Sequence, residues 1–308
     1  MTLLSVTNLT KTYPATNGRR VLALSEVSLQ IAAGEVLGVV GESGCGKSTL
    51  GRAILRLSDA DQGEVNFDGQ DLMRLSRRQM NAVRRDLQVV FQDPFGALNP
   101  RHRVGHILAE PLIVQGVDNR QARVAEVQGL VGLPDSAASR FPHEFSGGQR
   151  QRIAIARALV LNPKLIVADE AVSALDVSVQ SQILNLIAGL RKRLGLSILF
   201  ISHDLSVIHH VSDRIAVMYL GRIVETGLTG SVIATPRHPY TQALLSSVPH
   251  LGQRQRRTRL EGEVPDPSAP PPGCAFHTRC TLVHDACRIS RPALRRQPDG
   301  SEVACHLH

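Results

Sequence analysis

The residues that could do chemistry fall in a few short stretches, and the most explicit is Gly41-Glu42-Ser43-Gly44-Cys45-Gly46-Lys47-Ser48-Thr49. Its spacing, G-x-x-x-x-G-K-S, is that of a phosphate-binding loop. Glycines let successive N–H groups turn inward around a polyphosphate, and the following helix presents its positive N-terminal end. Lys47 would lie against the β- and γ-phosphates and the Ser48 hydroxyl would ligate Mg²⁺, so that an ammonium, a divalent cation and a nest of N–H dipoles neutralise a highly charged ligand. The bland alternative is a glycine-rich turn; the strand before and the helix after speak for a nucleotide. Further on, the apolar run Leu165-Ile166-Val167-Ala168 ends in Asp169-Glu170, and Ser197-Ile198-Leu199-Phe200-Ile201-Ser202 ends in His203-Asp204. Adjacent acids are often surface residues, and a lone histidine is more often structural. Both sets here stand at the ends of apolar strands, where open α/β sheets bind ligands. In that place Asp169 fits a Mg²⁺ partner acting through a water, Glu170 can polarise a water for attack on the γ-phosphate, and His203 can contact phosphate and water.

The elements that must position these groups are legible in the pattern around them. Residues 1–40 read as alternating short strands, with Tyr13 alone before the turn at residues 14–18. That ring is either a packing residue or a flat platform for a purine. After the first helix, residues 63–69 alternate as a strand between turn signals, an arginine-rich helical stretch follows at residues 74–85, and residues 87–91 form another buried strand. Beyond the turn-rich Gln92-Asp93-Pro94 the character changes: residues 104–112 and 120–130 read as helices, as an insertion into an α/β core would. The insertion closes with Phe145-Ser146-Gly147-Gly148-Gln149, where Ser146 and Gln149 have capping-box spacing ahead of a helix that runs to about residue 161 and stops at Pro163. A plain cap needs Ser and Gln but not two glycines, each of which costs a helix interior about 1 kcal/mol relative to Ala. Close approach of a ligand to the backbone would explain them. Another helix is expected over residues 179–193.

Composition bounds the rest. A chain of 308 residues, 43% hydrophobic, fits one large α/β domain with an appendage. No apolar run approaches the ~20 residues of a membrane span. The N-terminus reads as a first strand rather than a signal peptide, so cytosolic residence is expected. The net charge of +8, with a second basic stretch at Arg254-Gln255-Arg256-Arg257-Thr258-Arg259, raises nucleic acid as a partner. With no tryptophan and 3% aromatics there is little to build stacking platforms from, so a dedicated nucleic-acid surface is not expected.

Taken together these motifs resemble the ATP-binding-cassette (ABC) family over residues 3 to about 230. The resemblance implies an α/β fold: a phosphate-loop NTPase core with an N-terminal antiparallel β subdomain, a helical signature subdomain inserted at about residues 93–160, and a C-terminal cysteine-bearing extension. The cassette would span residues 1–235 and the extension 236–308. Tyr13 matches the adenine-stacking aromatic and residues 41–49 the phosphate loop. Gln92 matches the glutamine that couples to Mg²⁺ and senses the transport domain. Ser146-Gly147-Gly148-Gln149 matches the signature, introduced here by Phe145 where Leu is commoner. Asp169 matches the Mg²⁺-site acid, Glu170 the catalytic base, Asp176 the acid of the inter-subunit loop and His203 the switch histidine. Ala171 departs from the proline that usually follows the base. The resemblance implies ATP as substrate and a head-to-tail dimer, each nucleotide lying between one subunit's loop and the other's signature.

A narrower likeness lies outside the cassette. Arg237-His238-Pro239-Tyr240-Thr241-Gln242-Ala243-Leu244-Leu245, then Pro249, resembles the segment that follows the cassette in ATPases of peptide and nickel importers. It implies two permease subunits, a second and different cassette chain, indirectly an extracytoplasmic binding protein, and a place on the cytoplasmic face of the inner membrane. Nickel, glutathione or antimicrobial-peptide import remain as alternatives, with a non-transport ABC ATPase behind them. Four of the five cysteines, Cys274, Cys280, Cys287 and Cys305, lie in the tail with five, six and seventeen residues between them. In a cytosolic chain such a group suggests metal before disulfides. The C-x(2–4)-C start of zinc sites is missing, whereas four thiolates suit a [4Fe–4S] cluster, which the peptide-importer ATPases that this tail resembles carry. Zinc or free thiols stay open. The proline-rich residues 265–272 read as a stiff linker holding the tail away from the cassette.

Overall fold

The computed structural model describes residues 1–14, 19–247 and 262–308; the turn at 15–18, the basic stretch at 254–259 and Pro249 lie outside the described residues. The chain begins with β1 (Thr2–Pro14), β2 (Arg20–Ala32), β3 (Val36–Val40), α1 (Lys47–Ile54), β4 (Gln62–Phe67), β5 (Gln70–Asp71), α2 (Arg77–Val83) and β6 (Leu87–Val90). The helical stretch follows as α3 (Pro94–Ala97), α4 (Val104–Val114), α5 (Arg120–Leu130) and α6 (Gly147–Leu159). Next come β7 (Leu165–Asp169), α7 (Val177–Leu194), β8 (Ser197–Ser202), α8 (Leu205–Val211), β9 (Arg214–Tyr219) and β10 (Arg222–Leu228). The C-terminal part holds α9 (Thr229–Ala234), α10 (Pro239–Ser246), α11 (Asp285–Ile289), β11 (Arg295–Arg296) and β12 (Glu302–Val303).

Two compact units share these elements. The first takes residue 1, residues 32–35 and residues 74–200. It carries the strand order β8-β7-β6, with β6 and β7 parallel in the register Leu87↔Leu165 to Val90↔Ala168. Every residue of β7 is buried, which is why its sequence is a continuous apolar run and not an alternation. The helices of the insertion form as their apolar spacing indicates. Helix α7 is fixed at both ends: Asp176 caps its first turn by accepting the Val179 N–H, and Gly195, at φ 65°, takes the left-handed C-terminal position.

The second unit takes residues 2–31, 36–73 and 201–308. It holds a four-stranded sheet in the order β2-β1-β4-β5, with β1 and β4 antiparallel, and the strand run β11-β12-β10-β9-β3. Strand β3 is buried throughout and runs parallel to β9, and β12 adds itself antiparallel to β10 by pairing Val303 with Glu225. The expectation of short strands near the N-terminus is corrected: β1 and β2 are 13 residues each. The proline-rich segment is also not a spacer. Pro267 accepts a hydrogen bond from the Leu22 N–H of β2 at 3.2 Å, so the segment lies on the sheet. Among the described residues no helix is long and apolar enough to cross a membrane.

Candidate functional site

The phosphate loop sits in the second unit between β3 and α1, as its spacing predicts. Gly44 and Gly46 take φ values of +77° and +104°, conformations that a side chain disfavours. Gly46 is further constrained by space, since a Cβ there would lie 2.2 Å from the Ala23 carbonyl oxygen. Lys47, 4% exposed, donates from Nζ to the carbonyls of Gly41 (2.8 Å) and Glu42 (2.9 Å). Cys45 is buried beside it, and burial pushes its thiol pKa up, away from the reactive thiolate. The Cys45 carbonyl accepts from the Gly221 N–H at 2.9 Å, which ties the loop to the turn between β9 and β10.

Glu42 is held at three points, and two of its partners come from the tail. Its N–H donates to the Tyr240 hydroxyl at 2.9 Å. Its carboxylate takes both arms of the Arg279 guanidinium at 2.7 and 3.0 Å. Its carbonyl receives Lys47. Tyr240 is buried against Tyr219 and Phe276 at ring-centroid distances of 4.6 and 5.4 Å, and the Arg279 guanidinium lies over Tyr219 at 6.0 Å. An aromatic-poor chain thus spends two of its three tyrosines on this one contact. The motif around His238 builds it. Glu225, buried in β10, accepts the N–H groups of Arg237 and His238 at 2.8 and 3.0 Å, and His238 Nδ1 in turn accepts the Tyr240 N–H at 3.0 Å.

Burial, with the His308 charge nearby, lowers the His238 pKa from 6.5 to about 4. A histidine with a depressed folded-state pKa contributes stability that is complete above its unfolded value and is lost as pH falls from 6.5 toward 4. The expected loss is about 3 kcal/mol. Glu225, whose carboxyl burial pushes up, works in the opposite sense. Thermal melts across that interval should therefore show a steeper decline for the native protein than for His238→Asn, which keeps a cap acceptor and does not titrate; parallel profiles would disprove the assignment.

The first unit presents the acids. Asp169 is the buried last residue of β7. Glu170 follows with φ 48°, a left-handed conformation unusual for a side-chain-bearing residue, and its carboxylate oxygen Oε2 accepts from Gln92 Nε2 at 3.0 Å. Sequence reasoning placed these two residues in one site 78 positions apart, and the structure brings them into contact. The signature forms the predicted capping box: Ser146 Oγ accepts the Gln149 N–H at 3.4 Å and Gln149 Oε1 accepts the Ser146 N–H at 3.0 Å. These side chains serve the cap, so the backbone N–H groups of Gly147 and Gly148 are what the helix end offers an anion. The two glycines differ in their cause. A Cβ on Gly148 would stand 2.4 Å from Val179 Cγ1 of α7, a packing reason internal to the chain, whereas Gly147 has ordinary room.

Of the other candidates, Tyr13, next to last in β1, is half-buried, its hydroxyl 3.2 Å from Ser58 Oγ and Lys11 over its ring. His203 is exposed after β8, and Ser48 and Thr49 open α1. Burial pushes the Cys274 thiol up to about 11, with the charges of Cys287, Cys305 and Cys280 adding in the same direction. Burial raises the Cys280 and Cys305 thiols as well. Among the described residues no three His, Cys, Asp or Glu side chains are disposed to hold a metal ion. The expectation of an iron–sulfur cluster is accordingly not supported.

Residues 24–173 match the family model described as "ABC transporter", and residues 224–287 match "Oligopeptide/dipeptide transporter, C-terminal region". The chain is 50% identical to "Probable peptide ABC transporter ATP-binding protein y4tS" of Sinorhizobium fredii, across 99% of this chain and 90% of that one. It is 48% identical to "Oligopeptide transport ATP-binding protein AppF" of Bacillus subtilis, across 100% and 98%. The chain belongs to the ABC transporter ATPases. Solved structures similar to this ABC ATPase include cbiO1 of Clostridium perfringens, part of the cbiONQ complex (TM-score 0.68, 29% identity, 76% of this chain and 91% of that one). The cassette MJ0796, a dimer bound to ADP and Pi, gives a TM-score of 0.66 at 31% identity over 74% of this chain and 99% of its own. As a member of this family the chain binds and hydrolyses ATP to energise an ABC transporter.

Proposed function

We propose that this ATPase drives the uptake of di- and oligopeptides from the cytoplasmic face of the inner membrane. The observation that carries the reading is the match of residues 224–287 to the oligopeptide/dipeptide-type C-terminal region, in a chain whose full-length relatives are named for peptide transport. Lys47 and the loop N–H groups bind the phosphates of ATP, with Tyr13 on the adenine. Ser48, Gln92 and Asp169 carry oxygen donors of the kind Mg²⁺ prefers, and the ion supplies charge neutralisation at the phosphates. Glu170 accepts the proton of the attacking water, Gln92 orients its carboxylate, and His203 holds the γ-phosphate. Ser146, Gly147, Gly148 and Gln149 act on the nucleotide of a facing cassette, with Asp176 at the shared boundary. That cassette is a second, different chain, and two permease subunits with an extracytoplasmic binding protein complete the importer. The cassette is taken as residues 1–235, with the helical part at 93–160, and the extension as 236–308. A cluster on the cysteines has no part in this reading.

The test is uptake of a labelled dipeptide and a labelled oligopeptide by cells in which this chain is replaced by Glu170→Gln. Loss of peptide uptake with nickel and glutathione uptake unchanged supports the proposal. Normal peptide uptake, or loss of nickel or glutathione uptake in its place, overturns it.

A further inference from the structure

The strongest unexplained feature is the grip of the C-terminal segment on Glu42, the second residue of the phosphate loop. Phosphate binding requires glycines, a lysine and a hydroxyl; it does not require that the variable residue after Gly41 be fixed. Here all three polar groups of that residue are engaged, two of them by side chains about 200 or more positions away, at separations of 198 and 237. The Arg279 side chain is 4% exposed and that of Glu42 25%, so the bidentate pair is largely withdrawn from water. A paired guanidinium fork fixes direction as well as distance. The Glu42 carbonyl, on the same residue, receives the Lys47 ammonium at 2.9 Å, so the orientation of residue 42 and the place of the ammonium are linked.

We propose that Arg279 and Tyr240 are positioning residues of the nucleotide site: by holding the carboxylate and the N–H of Glu42 they fix the loop geometry that places Lys47, and the C-terminal tail thereby sets the affinity for ATP. This rests on the reading of Lys47 as the phosphate-binding lysine. Both act through Glu42. Their effect falls on binding more than on the chemical step, because the hydrolytic groups Glu170 and Gln92 are anchored elsewhere in the chain. A brace that merely stabilised the fold would change the melting temperature and the active fraction, leaving the affinity of folded molecules untouched.

The experiment titrates the purified full chain with a fluorescent ATP analogue in the presence of Mg²⁺ and measures ATPase kinetics in the assembled transporter. Native protein must bind and Lys47→Ala must not; failure there refutes the underlying reading and not the coupling. Arg279→Gln should raise the Kd by about tenfold, within the range of measured coupling between sites. Glu42→Gln should do the same, and the double variant should be no weaker than either single one, because the pair acts as a unit. Arg279→Lys, which keeps the charge but not the fork, should fall between native and Arg279→Gln. In turnover, KM for ATP should rise while kcat stays within about twofold. Tyr240→Phe keeps the buried ring and deletes the acceptor for the Glu42 N–H; it should raise the Kd severalfold and guards against an Arg279 variant that does not fold. An Arg279→Gln or Tyr240→Phe Kd within about twofold of native, or a double-variant effect equal to the product of the singles, overturns the proposal.

Discussion

Replacing Glu170 by Gln is expected to leave ATP binding intact and to cut steady-state hydrolysis by on the order of 10²–10⁴, the usual contribution of a positioned general base. Strand β7 ends at Asp169, and the chain then turns through the left-handed conformation at Glu170. Such a conformation costs a non-glycine residue about 1–3 kcal/mol and persists only where its surroundings impose it. Three contacts impose it here: Ser173 N–H and Oγ both donate to the Glu170 carbonyl, at 3.1 and 3.0 Å, and Gln92 holds the carboxylate. Glutamine in that place has the same shape and can still accept the Gln92 amide through its own oxygen. The substitution therefore removes basicity and little else. Phosphate release measured under saturating ATP, beside a binding titration of the same preparation, checks the claim; hydrolysis near the native rate would exclude Glu170 as the base.

Gly46→Ala is expected to weaken ATP binding by about 10²-fold or more, where Gly44→Ala weakens it by much less. Both positions have positive φ, which costs an L-residue about 1–2 kcal/mol. They differ in what a methyl group would meet. At Gly44 nothing lies within 4 Å, whereas at Gly46 the new Cβ would stand 2.2 Å from the Ala23 carbonyl oxygen and 2.9 Å from Met218 Cε. The methionine end can swing away. The carbonyl belongs to β2 and cannot move without the strand, so the loop would have to deform, and with it the N-terminus of α1. Strain and overpacking together come to at least about 3 kcal/mol, which corresponds to about 10²-fold or more in Kd. Titration of both variants with an ATP analogue, alongside their thermal midpoints, decides the matter. Equal affinities for the two would show that space at residue 46 is not the constraint.

What was legible in the chain was what is local. Continuous apolar runs identified β3, β7 and β8 because a strand covered on both faces has no polar side to show. Residues 120–130 were read as a helix with the bounds of α5, and the capping box of Ser146 and Gln149 formed as its spacing required. Position at a strand end points to Asp169 and Glu170, whereas Gln92 is singled out only by the family resemblance. What escaped was set by contacts between distant positions. Nothing around Arg279 announces that its partner is Glu42, because neither residue sits in a periodic pattern that depends on the other. The pairing of β12 with β10 rests on two residues per strand, too short for any alternation to register. Gly148 owes its missing side chain to Val179, which lies on another helix and leaves no local trace in the sequence. The cysteines illustrate the same limit: counting thiols reveals possible ligands, and only geometry reveals whether they converge.

The grip on Glu42 also has a consequence for synthesis. Every motif residue of the nucleotide site, from Tyr13 to His203, leaves the ribosome before Tyr240 and Arg279 do, and β9, the parallel neighbour of β3, begins only at Arg214. A nascent chain thus carries all the residues needed to grip ATP while lacking the contacts that hold the loop in shape. Non-local closure of this kind is slow and comes late. A product that stopped before Tyr240 would retain the complete set of sequence signatures and lack both side chains that hold Glu42.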